Sequence, residues 1–474
     1  MSVLDDLADY IATPDFIRDN GSPTVSMALI DSNGRFSAQV ITSGEEDTAT
    51  VYQACSISKA ITALALAKLV DLNKLSYDDK VIDIIPTQRL EDLGKMEADM
   101  ESVTLGALVS HRSGLSQHGF PGYAAEIPTV EDIFNGRPFS NTPRIRFSSF
   151  PFAQFSYSGG GFLLLQLCLE HALDMPFAQI MHDTVLAPLQ MTRSWYTDLP
   201  DGERNYAKAY LTGEQVVVHP PRGYHMLVES AAAGLWTTPT DLLKAVSAIQ
   251  RSLRHDNGFL STEIARKMLT KVTPNHEEYS MAMGWSSNGS CFAHRGDNAP
   301  GYNTYVFGTH EGIVNTTDDS ARFKGALAIM ANSVLGFPII QKIMAAIFYL
   351  NRWPRDRSLP RGFGFMTDFV PYAAPPHAHL DDSWKAWVGK WKGGWMIIDD
   401  NGVPKLESTS LVRPVLLRPA AVPAAFNEQV LVAKGYEIAL RLREYSGRRH
   451  LHIIQSEGVQ HVERESNEPP AQAM

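Results

Sequence analysis

The pattern of apolar and polar positions near the start of the chain predicts a β-hairpin. Val25–Ile30 and Phe36–Thr42 are rich in strand-forming residues, and a short segment of Asp, Ser, Asn and Gly separates them. The pattern then changes at Ser56–Leu75, where every residue from 60 to 67 except Thr62 is apolar. A helix that is apolar on all sides is usually buried, so we predict a central helix here.

The next part of the chain predicts helices in its middle and strands near its end. Helical patterns occur at Phe162–Ala172, Thr240–Leu253, Ser261–Leu269 and Pro338–Asn351. Strand-like segments occur at Met281–Ser286, Tyr302–Thr309 and Gly325–Asn332. Because strands fall early and late with helices between them, we predict an α+β fold, an antiparallel sheet flanked by helices with an inserted helical region.

A proline-containing segment and a series of short strands follow. Residues 352–382 contain five prolines, which is typical of a linker. Beyond them we expect strands at Trp384–Trp391, Leu411–Leu416, Gln429–Val432, Ile438–Leu442 and His450–Ile454. Pro414 would place the second of these strands at a sheet edge. The predicted domains are therefore 1–351, a linker at 352–382 and a small all-β domain at 383–474.

Charge and composition exclude several classes of partner. The chain of 474 residues has a formal net charge of −10 and no cluster of Lys and Arg, so it lacks the basic face of a nucleic-acid-binding protein. Its apolar stretches are too short or too interrupted to cross a membrane, and its first residues lack the features of a secretory signal. Three cysteines give no disulfide framework. We therefore expect a cytoplasmic protein without nucleic-acid or membrane partners.

Ser56 and Lys59 form the first candidate catalytic pair. Serine needs a base within hydrogen-bond reach, and positions i and i+3 of a helix share a face, so Lys59 can point at the Ser56 hydroxyl. Burial lowers the pKa of a lysine and allows it to accept a proton. The alternative is an N-cap serine followed by a solvated lysine. Cys55 is a weaker candidate nucleophile because the sequence positions no separate base for it.

Tyr157 lies in the second candidate segment, just before three consecutive glycines. Glycines permit close approach of the backbone ahead of a helix. A phenol beside a lysine ammonium should have a pKa below its usual value of about 10, which makes Tyr157 a candidate base. The alternative is a core tyrosine followed by a helix-entry loop.

His294, Arg295, Gly296 and Asp297 form the third candidate segment. We expect it where a strand-like segment, Gly289–Ala293, ends and the chain turns. His294 can then face the site, Gly296 lets a substrate backbone lie against the strand, and the Asp297 N–H can donate to an oxyanion. The alternative is a surface turn with a solvated histidine.

In this order and spacing the three segments resemble the family of serine β-lactamases, penicillin-binding proteins and related serine hydrolases. The branch with class C β-lactamases, D-aminopeptidases, D-Ala-D-Ala carboxypeptidases and carboxylesterases is the most similar. Ser56–Lys59 resembles the family's Ser-x-x-Lys element, residues 157–159 its Tyr-x-Asn element, and residues 294–296 its Lys/His-x-Gly element. Residues 108–115, 118–123, 188–191 and 231–239 are also similar to this branch. The C-terminal β domain is similar in broad character to the lipocalin-like domains of some members.

This resemblance implies a mechanism in which Ser56 forms an acyl-enzyme. Lys59, with Tyr157, would take the Ser56 proton, and the backbone N–H groups of Ser56 and Asp297 would stabilise the oxyanion. No metal or organic cofactor is implied.

The resemblance also implies substrate contacts at Gly159, Arg295 and Gly296, with His294 among the catalytic residues. Two departures bear on substrate choice. Gly159 stands where the family has Asn, which argues against classical β-lactam binding. His294 stands where many penicillin-binding proteins have lysine, which weakens recognition of a free carboxylate, although Arg295 offers a replacement charge.

The predicted function is therefore a serine hydrolase that acts on an ester or amide of a small molecule or short peptide. One alternative is an acyltransferase, transesterase or peptide cyclase, because all of these share the acyl-enzyme. Another is a non-catalytic member that binds ligands or forms assemblies. Self-association into a homo-oligomer is compatible with each.

Overall fold

A computed structural model describes most of the first 350 residues and much of the C-terminal region. The described residues are 4, 7, 22–31, 33–42, 44–86, 98–116, 118–124, 126–211, 214–215, 222–272, 281–287, 291–298, 301–310, 325–333, 336–350, 382–392, 394–408, 414–419, 430–433, 438–445, 448–455 and 458–463. The predicted linker therefore lies outside the described residues, except for Asp382, and the domain boundaries stay predictions.

Ten α-helices and eighteen strands occur in the described part of the chain. The helices are α1 (Ile57–Asp71), α2 (Val81–Ile84), α3 (Leu105–Val109), α4 (Val130–Asn135), α5 (Gly159–Leu173), α6 (Phe177–Met181), α7 (Ser230–Ala233), α8 (Pro239–Ser252), α9 (Thr262–Leu269) and α10 (Gly336–Leu350). The strands are β1 (Thr24–Ile30), β2 (Phe36–Thr42), β3 (Tyr52–Gln53), β4 (Tyr210–Leu211), β5 (Glu214–Gln215), β6 (Trp236–Thr237), β7 (Ser286–Ser287), β8 (Cys291–Asn298), β9 (Tyr302–Thr309), β10 (Ala326–Ala331), β11 (Gly389–Trp391), β12 (Trp395–Asp400), β13 (Val403–Ser408), β14 (Val415–Pro419), β15 (Val430–Ala433), β16 (Ile438–Tyr445), β17 (Arg448–Gln455) and β18 (Gly458–Glu463). Short 3₁₀ segments occur at Ala98–Ser102 and Asp382–Trp387, and a π-helical turn at His182–Leu186. None of the helices in these described ranges is long and apolar enough to span a bilayer.

The central sheet joins the first and the later strands of the chain. Its order is β2-β1-β10-β9-β8-β7, and every neighbouring pair is antiparallel. Strand β1 pairs with its hairpin partner β2 on one side and with β10 on the other, where Val25 lies opposite Ala331. The predicted hairpin and the predicted α+β fold are both confirmed.

Helices cover both faces of this sheet. Along β10, Leu327 and Ile329 belong to the apolar cluster that contains residues of α10, whereas Ala328 and Met330 belong to the cluster that contains residues of α1 and α8. Successive side chains of a strand point to opposite faces, so a wholly apolar strand such as β10 fits a sheet that is buried on both sides.

Helix α1 lies in the larger of these clusters. Twelve of its 15 residues are buried, among them Lys59 and Thr62. The apolar pattern all round this segment explains the burial, since no face of the helix is polar enough to meet solvent. The predicted central helix is confirmed.

The C-terminal region forms an antiparallel sheet of eight strands in sequential order, β11 to β18. Its core contains Trp384, Trp391, Leu406, Leu440 and Leu451. This agrees with the predicted small all-β unit. Its strands run from Gly389 to Glu463 within the described residues.

Several element predictions in these regions were wrong in detail. The segment predicted as a strand at Trp384–Trp391 begins as a 3₁₀ segment, and only Gly389–Trp391 is a strand. Pro414 does not mark an edge: β14 lies between β13 and β15, and Pro414 precedes its first residue, so no ladder hydrogen bond is lost. In place of the predicted strand Met281–Ser286, the structure has an isolated β-bridge at Met281 and the two-residue strand β7.

Candidate active site

Ser56 lies at the turn that enters α1. The preceding residue, Cys55, has a φ of 54°, in the left-handed region that residues other than glycine seldom adopt. Neighbouring strands hold this turn. The Ala54 N–H donates to the Leu235 carbonyl at 2.7 Å, and the Thr304 hydroxyl donates to the Ala54 carbonyl at 2.8 Å. The Ser56 side chain is partly exposed and does not cap the helix, so its hydroxyl is not occupied in capping α1.

Lys59 is buried one helical turn behind Ser56. Its ammonium nitrogen lies 3.2 Å from the Ser56 hydroxyl oxygen and donates to the Ala232 carbonyl at 2.7 Å. Burial lowers the pKa of Lys59 to about 7. A substantial fraction of Lys59 is therefore uncharged at neutral pH and can accept the Ser56 proton. The expected depression of this pKa agrees with the structure.

Tyr157 lies over the same pair. The Lys59 ammonium nitrogen is 5.1 Å from the centre of the Tyr157 ring, and the Ser56 side chain lies close enough to the phenol to influence its pKa. Burial raises the pKa of Tyr157 to about 12, and the contact with Ser56 and the charge of Arg295 only reduce this effect. The expectation that the phenol would have a lowered pKa was wrong, because desolvation outweighs attraction to a partly uncharged lysine. Tyr157 is a neutral phenol that can donate or relay a proton.

His111 holds the segment that carries Tyr157. Its ring stacks on the Tyr157 ring with centres 4.3 Å apart, and its Nδ1 accepts the Ser158 N–H at 3.0 Å. Burial keeps the pKa of His111 well below its ordinary value, so the imidazole is neutral. The Ser158 hydroxyl accepts the Gly161 N–H at 2.8 Å and caps α5. Gly159 is the buried first residue of α5, and its predicted contact with substrate can only use the main chain.

His294 lies inside β8 and not at a turn, because β8 continues to Asn298. The prediction that the chain turns after Ala293 was therefore wrong. His294 Nδ1 lies 2.6 Å from the Arg295 carbonyl oxygen, so Nδ1 carries the proton and Nε2 is the acceptor. Burial lowers the pKa of His294 to about 3. Its ring centre is 6.5 Å from that of Tyr157, which places a neutral imidazole, not a cation, beside the Ser56–Lys59 pair.

Gly296 and Arg295 lie on opposite faces of β8. A Cβ at Gly296 would lie 2.6 Å from the Cys55 Cβ and 2.7 Å from the Ala54 carbonyl oxygen, so the missing side chain lets β8 approach the Ser56 turn. This packing explains the glycine without a substrate. Arg295 is exposed and its guanidinium lies 5.4 Å from the Phe337 ring, on the face away from His294.

The charge of Arg295 still contributes to lowering the pKa values of Tyr157, His118 and His294, so the predicted contact of Arg295 with substrate stays a prediction. Asp297 also points its side chain to the exposed face, as the alternation along β8 requires. The oxyanion contact of the Asp297 N–H stays a prediction.

The sequence of this chain matches a known protein family. The family model described as Beta-lactamase matches residues 9–352. The chain belongs to the β-lactamase family. Ser56, Lys59, Tyr157 and His294 all lie within the matched residues, and membership of this family supports a serine hydrolase.

Individual relatives share only low sequence identity with this chain. An uncharacterized protein of Mycobacterium tuberculosis is 24% identical over 257 residues, which are 49% of this chain and 62% of that protein. The chain thus spans less than two-thirds of the length of this curated relative.

Two solved structures share the fold. The octameric penicillin-binding protein homologue from Pyrococcus abyssi has a TM-score of 0.54 at 19% identity, covering 97% of this chain and 98% of that one. The D-amino acid amidase from Ochrobactrum anthropi SV3 has a TM-score of 0.55 at 18% identity, covering 74% and 99%. At these identities the likeness concerns the fold alone.

Two residues beside the site in this β-lactamase-family chain were missing from the predicted set. His111 lies within a stretch that resembled the family, but the sequence did not show that its ring stacks on Tyr157. Glu229 lies two residues before the similar stretch 231–239 and is fully buried near Lys59. A glutamate is usually solvated, so only the fold reveals its position.

Proposed function

We propose that this β-lactamase-family chain is a serine hydrolase that cleaves an amide or ester bond through an acyl-enzyme on Ser56. The observation that carries the proposal is the contact of 3.2 Å between the Lys59 ammonium nitrogen and the Ser56 hydroxyl oxygen. A lysine buried in this way has a pKa near neutrality, which suits a general base.

The proposed reaction uses these groups in sequence. Neutral Lys59 takes the Ser56 proton as the Ser56 oxygen bonds to the carbonyl carbon, and the carbonyl oxygen becomes an oxyanion. The N–H groups of Ser56 and Asp297 stabilise that oxyanion, a contribution of about 2.7–4 kcal/mol per donor. As the bond to carbon breaks, the Tyr157 phenol donates its proton to the leaving nitrogen or oxygen and recovers the proton that Lys59 took from Ser56. Water then attacks the ester carbon while neutral Lys59 takes a proton from it. The Ser56 oxygen leaves with that proton, which releases the carboxylic acid and restores the Ser56 hydroxyl and neutral Lys59.

The substrate class follows from the charges around Ser56. His294 is neutral and supplies no cation for a substrate carboxylate. The Arg295 guanidinium lies against the Phe337 ring, although its charge is felt at Tyr157. We propose a neutral amide or ester of a small molecule or short peptide as the substrate. The amide specificity named for the Ochrobactrum anthropi structure supports the amide class.

Covalent labelling tests the proposal directly. The folded protein is incubated with a fluorophosphonate, and the adduct is located by intact mass and peptide mapping. We expect one adduct, on Ser56, and none in Ser56→Ala or in denatured wild-type protein. Folded protein that leaves Ser56 unmodified would refute the acyl-enzyme and favour a non-catalytic, ligand-binding role.

Hydrolysis and acyl transfer share the acyl-enzyme and differ in its acceptor. A panel of amino-acid amides and esters, assayed with and without an added amine or alcohol, separates them by product. We expect free acid as the main product. Predominance of the transferred acyl group would identify an acyltransferase or a peptide cyclase.

The cytoplasmic location stays a prediction, which fractionation of the producing cell tests. We propose that the chain self-associates, since the Pyrococcus abyssi homologue is octameric. Light scattering coupled to size-exclusion chromatography measures this, and a monomer at every concentration would refute it.

A further inference from the structure

Glu229 is a buried acid that the proposed mechanism leaves without a task. Its side chain is fully buried, and neither carboxylate oxygen makes a hydrogen bond of normal geometry within the described part of the chain, although the Tyr123 hydroxyl and the main chain of Val228 and Glu229 lie near enough to lower its pKa. A buried carboxylate with such weak hydrogen bonding is unfavourable unless a cation compensates it. The burial of the Glu229 carboxyl group therefore suggests that it has a function.

The main chain connects Glu229 to the catalytic lysine. Its carbonyl accepts the N–H groups of Ala232 and Ala233, both at 2.9 Å, and so closes the single turn of α7. The Ala232 carbonyl at the other end of this turn accepts the Lys59 ammonium at 2.7 Å. Glu229 thus begins the turn that holds Lys59.

The carboxyl group of Glu229 also interacts with Lys59 through space. Burial lowers the pKa of Lys59, whereas Cys55 and, to a smaller extent, Glu229 raise it. Lys59 in turn lowers the pKa of Glu229, which burial raises to about 7. The Tyr123 hydroxyl faces the carboxyl group from a third segment and lowers the same pKa. Tyr123 is itself a neutral phenol, since burial raises its pKa.

The other titratable groups around Lys59 carry no charge at neutral pH. Burial raises the pKa values of Cys55 and Tyr157 and lowers those of His111, His118 and His294, so all five are neutral. Arg295 and Asp297 act on Tyr157 and Cys55 from the exposed face of β8. Glu229 is thus the buried group in the described structure whose charge can balance Lys59.

We propose that Glu229 is a positioning residue that acts through Lys59: its buried carboxylate stabilises the lysine ammonium and keeps the lysine basic enough to deprotonate Ser56. Burial alone would give a lysine that is neutral but a weak base. An opposing carboxylate restores basicity, because it favours the charged form that Lys59 adopts when it takes the proton.

This inference rests on the proposed function, and its test is the pH dependence of Ser56 labelling by a fluorophosphonate. In that reaction the Ser56 oxygen bonds to phosphorus, fluoride leaves, and Lys59 takes the Ser56 proton. The wild-type rate should rise with pH through the pKa of Lys59. In Glu229→Gln the rise should move to lower pH by about 0.5–1 unit, and the plateau rate should fall several-fold. Glu229→Asp should partly restore both the pH at which the rate rises and the plateau rate.

Gln166→Leu provides the matched structural control. Gln166 is buried and its side-chain oxygen accepts the Ala231 N–H of the same turn at 3.1 Å, so this variant removes a contact with α7 but no charge. We expect its pH profile to coincide with that of the wild type. An unshifted profile in folded Glu229→Gln, or an equal shift in Gln166→Leu, would overturn the role of Glu229. Absence of wild-type labelling would instead overturn the proposed function.

Discussion

Gly296 of β8 packs directly against Cys55, the residue before the proposed nucleophile. The space between them leaves no room for a methyl group, since a Cβ at 296 would also lie 2.5 Å from the Thr304 hydroxyl oxygen. The distance between β8 and the Ser56 turn is therefore set by a missing side chain.

Gly296→Ala should separate β8 from the Ser56 turn. We expect a loss of stability of about 1–3 kcal/mol from overpacking, together with slower labelling of Ser56. Denaturant titration and labelling kinetics measure the two effects. Gly119→Ala, where a Cβ meets no atom within 4 Å, serves as the stability control. A Gly296→Ala protein as stable and as reactive as wild type would contradict the packing.

Lys59→Ala should be almost as inactive as Ser56→Ala, because the two residues act as a unit. We expect a loss of about 10³-fold or more in the rate of acyl-enzyme formation. Burst kinetics with an activated ester measure this rate. Circular dichroism and thermal unfolding show whether each variant is folded. A folded Lys59→Ala protein that keeps most of the rate would mean that another group is the base.

The pH profile of the wild type should have an acid limb and no alkaline limb up to about pH 10. The rate needs uncharged Lys59, so it should fall about tenfold per unit below the lysine pKa of about 7. Tyr157 must stay protonated to donate, and its pKa of about 12 keeps it so. A rate that decreases between pH 8 and 10 without unfolding would show that the phenol ionises earlier.

Tyr157→Phe tests the phenol separately from its ring. The ring keeps its stacking on His111, so the fold should persist, while the rate should fall about 10²-fold through loss of the proton donor. The loss should be smaller for substrates whose leaving group needs no proton, such as an activated phenyl ester. Comparison of amide and phenyl ester turnover measures this difference, and equal losses on both would argue against proton donation.

His294 should make stability depend on pH. Its pKa in the fold is about 3, below the value of about 6.5 expected for the unfolded chain. The unfolded state therefore binds the extra proton first, and the contribution of His294 to stability is present above pH 6.5 and declines as the pH falls. Between pH 7.5 and 5 this loss is about 2 kcal/mol.

Urea titrations of wild type and His294→Asn at the two pH values isolate that loss, since the other titrating groups contribute to both proteins. The wild type should lose more stability on acidification than the variant. Equal losses would mean that His294 is already protonated, or readily protonated, in the fold.

Much of the fold was predictable because the pattern of apolar and turn residues within each short segment indicates its secondary structure. The hairpin β1–β2 and the buried helix α1 follow from periodicity and turn residues, and β9 matched its predicted bounds. The extent of β8 was not predictable from the sequence, because Arg295 and Asp297 look like turn residues. They are tolerated in a strand whose other face packs on the Ser56 turn.

The candidate site was predictable in composition but not in electrostatics. The spacing of Ser56 and Lys59 predicts their contact, because residues three positions apart lie on the same face of a helix. The pKa of Tyr157 depends on how many atoms surround it, and the position of Glu229 depends on a turn remote in sequence from Lys59. Neither property is encoded in a short motif.

The pairing of Val25 with Ala331 also constrains how the protein is made. Strand β1 leaves the ribosome long before its partner β10 is translated, so the sheet stays incomplete while some three hundred residues are added. The nascent hairpin must wait with one edge unpaired, a state prone to misassociation. Folding of this domain should therefore be late, concerted and sensitive to chaperones during synthesis.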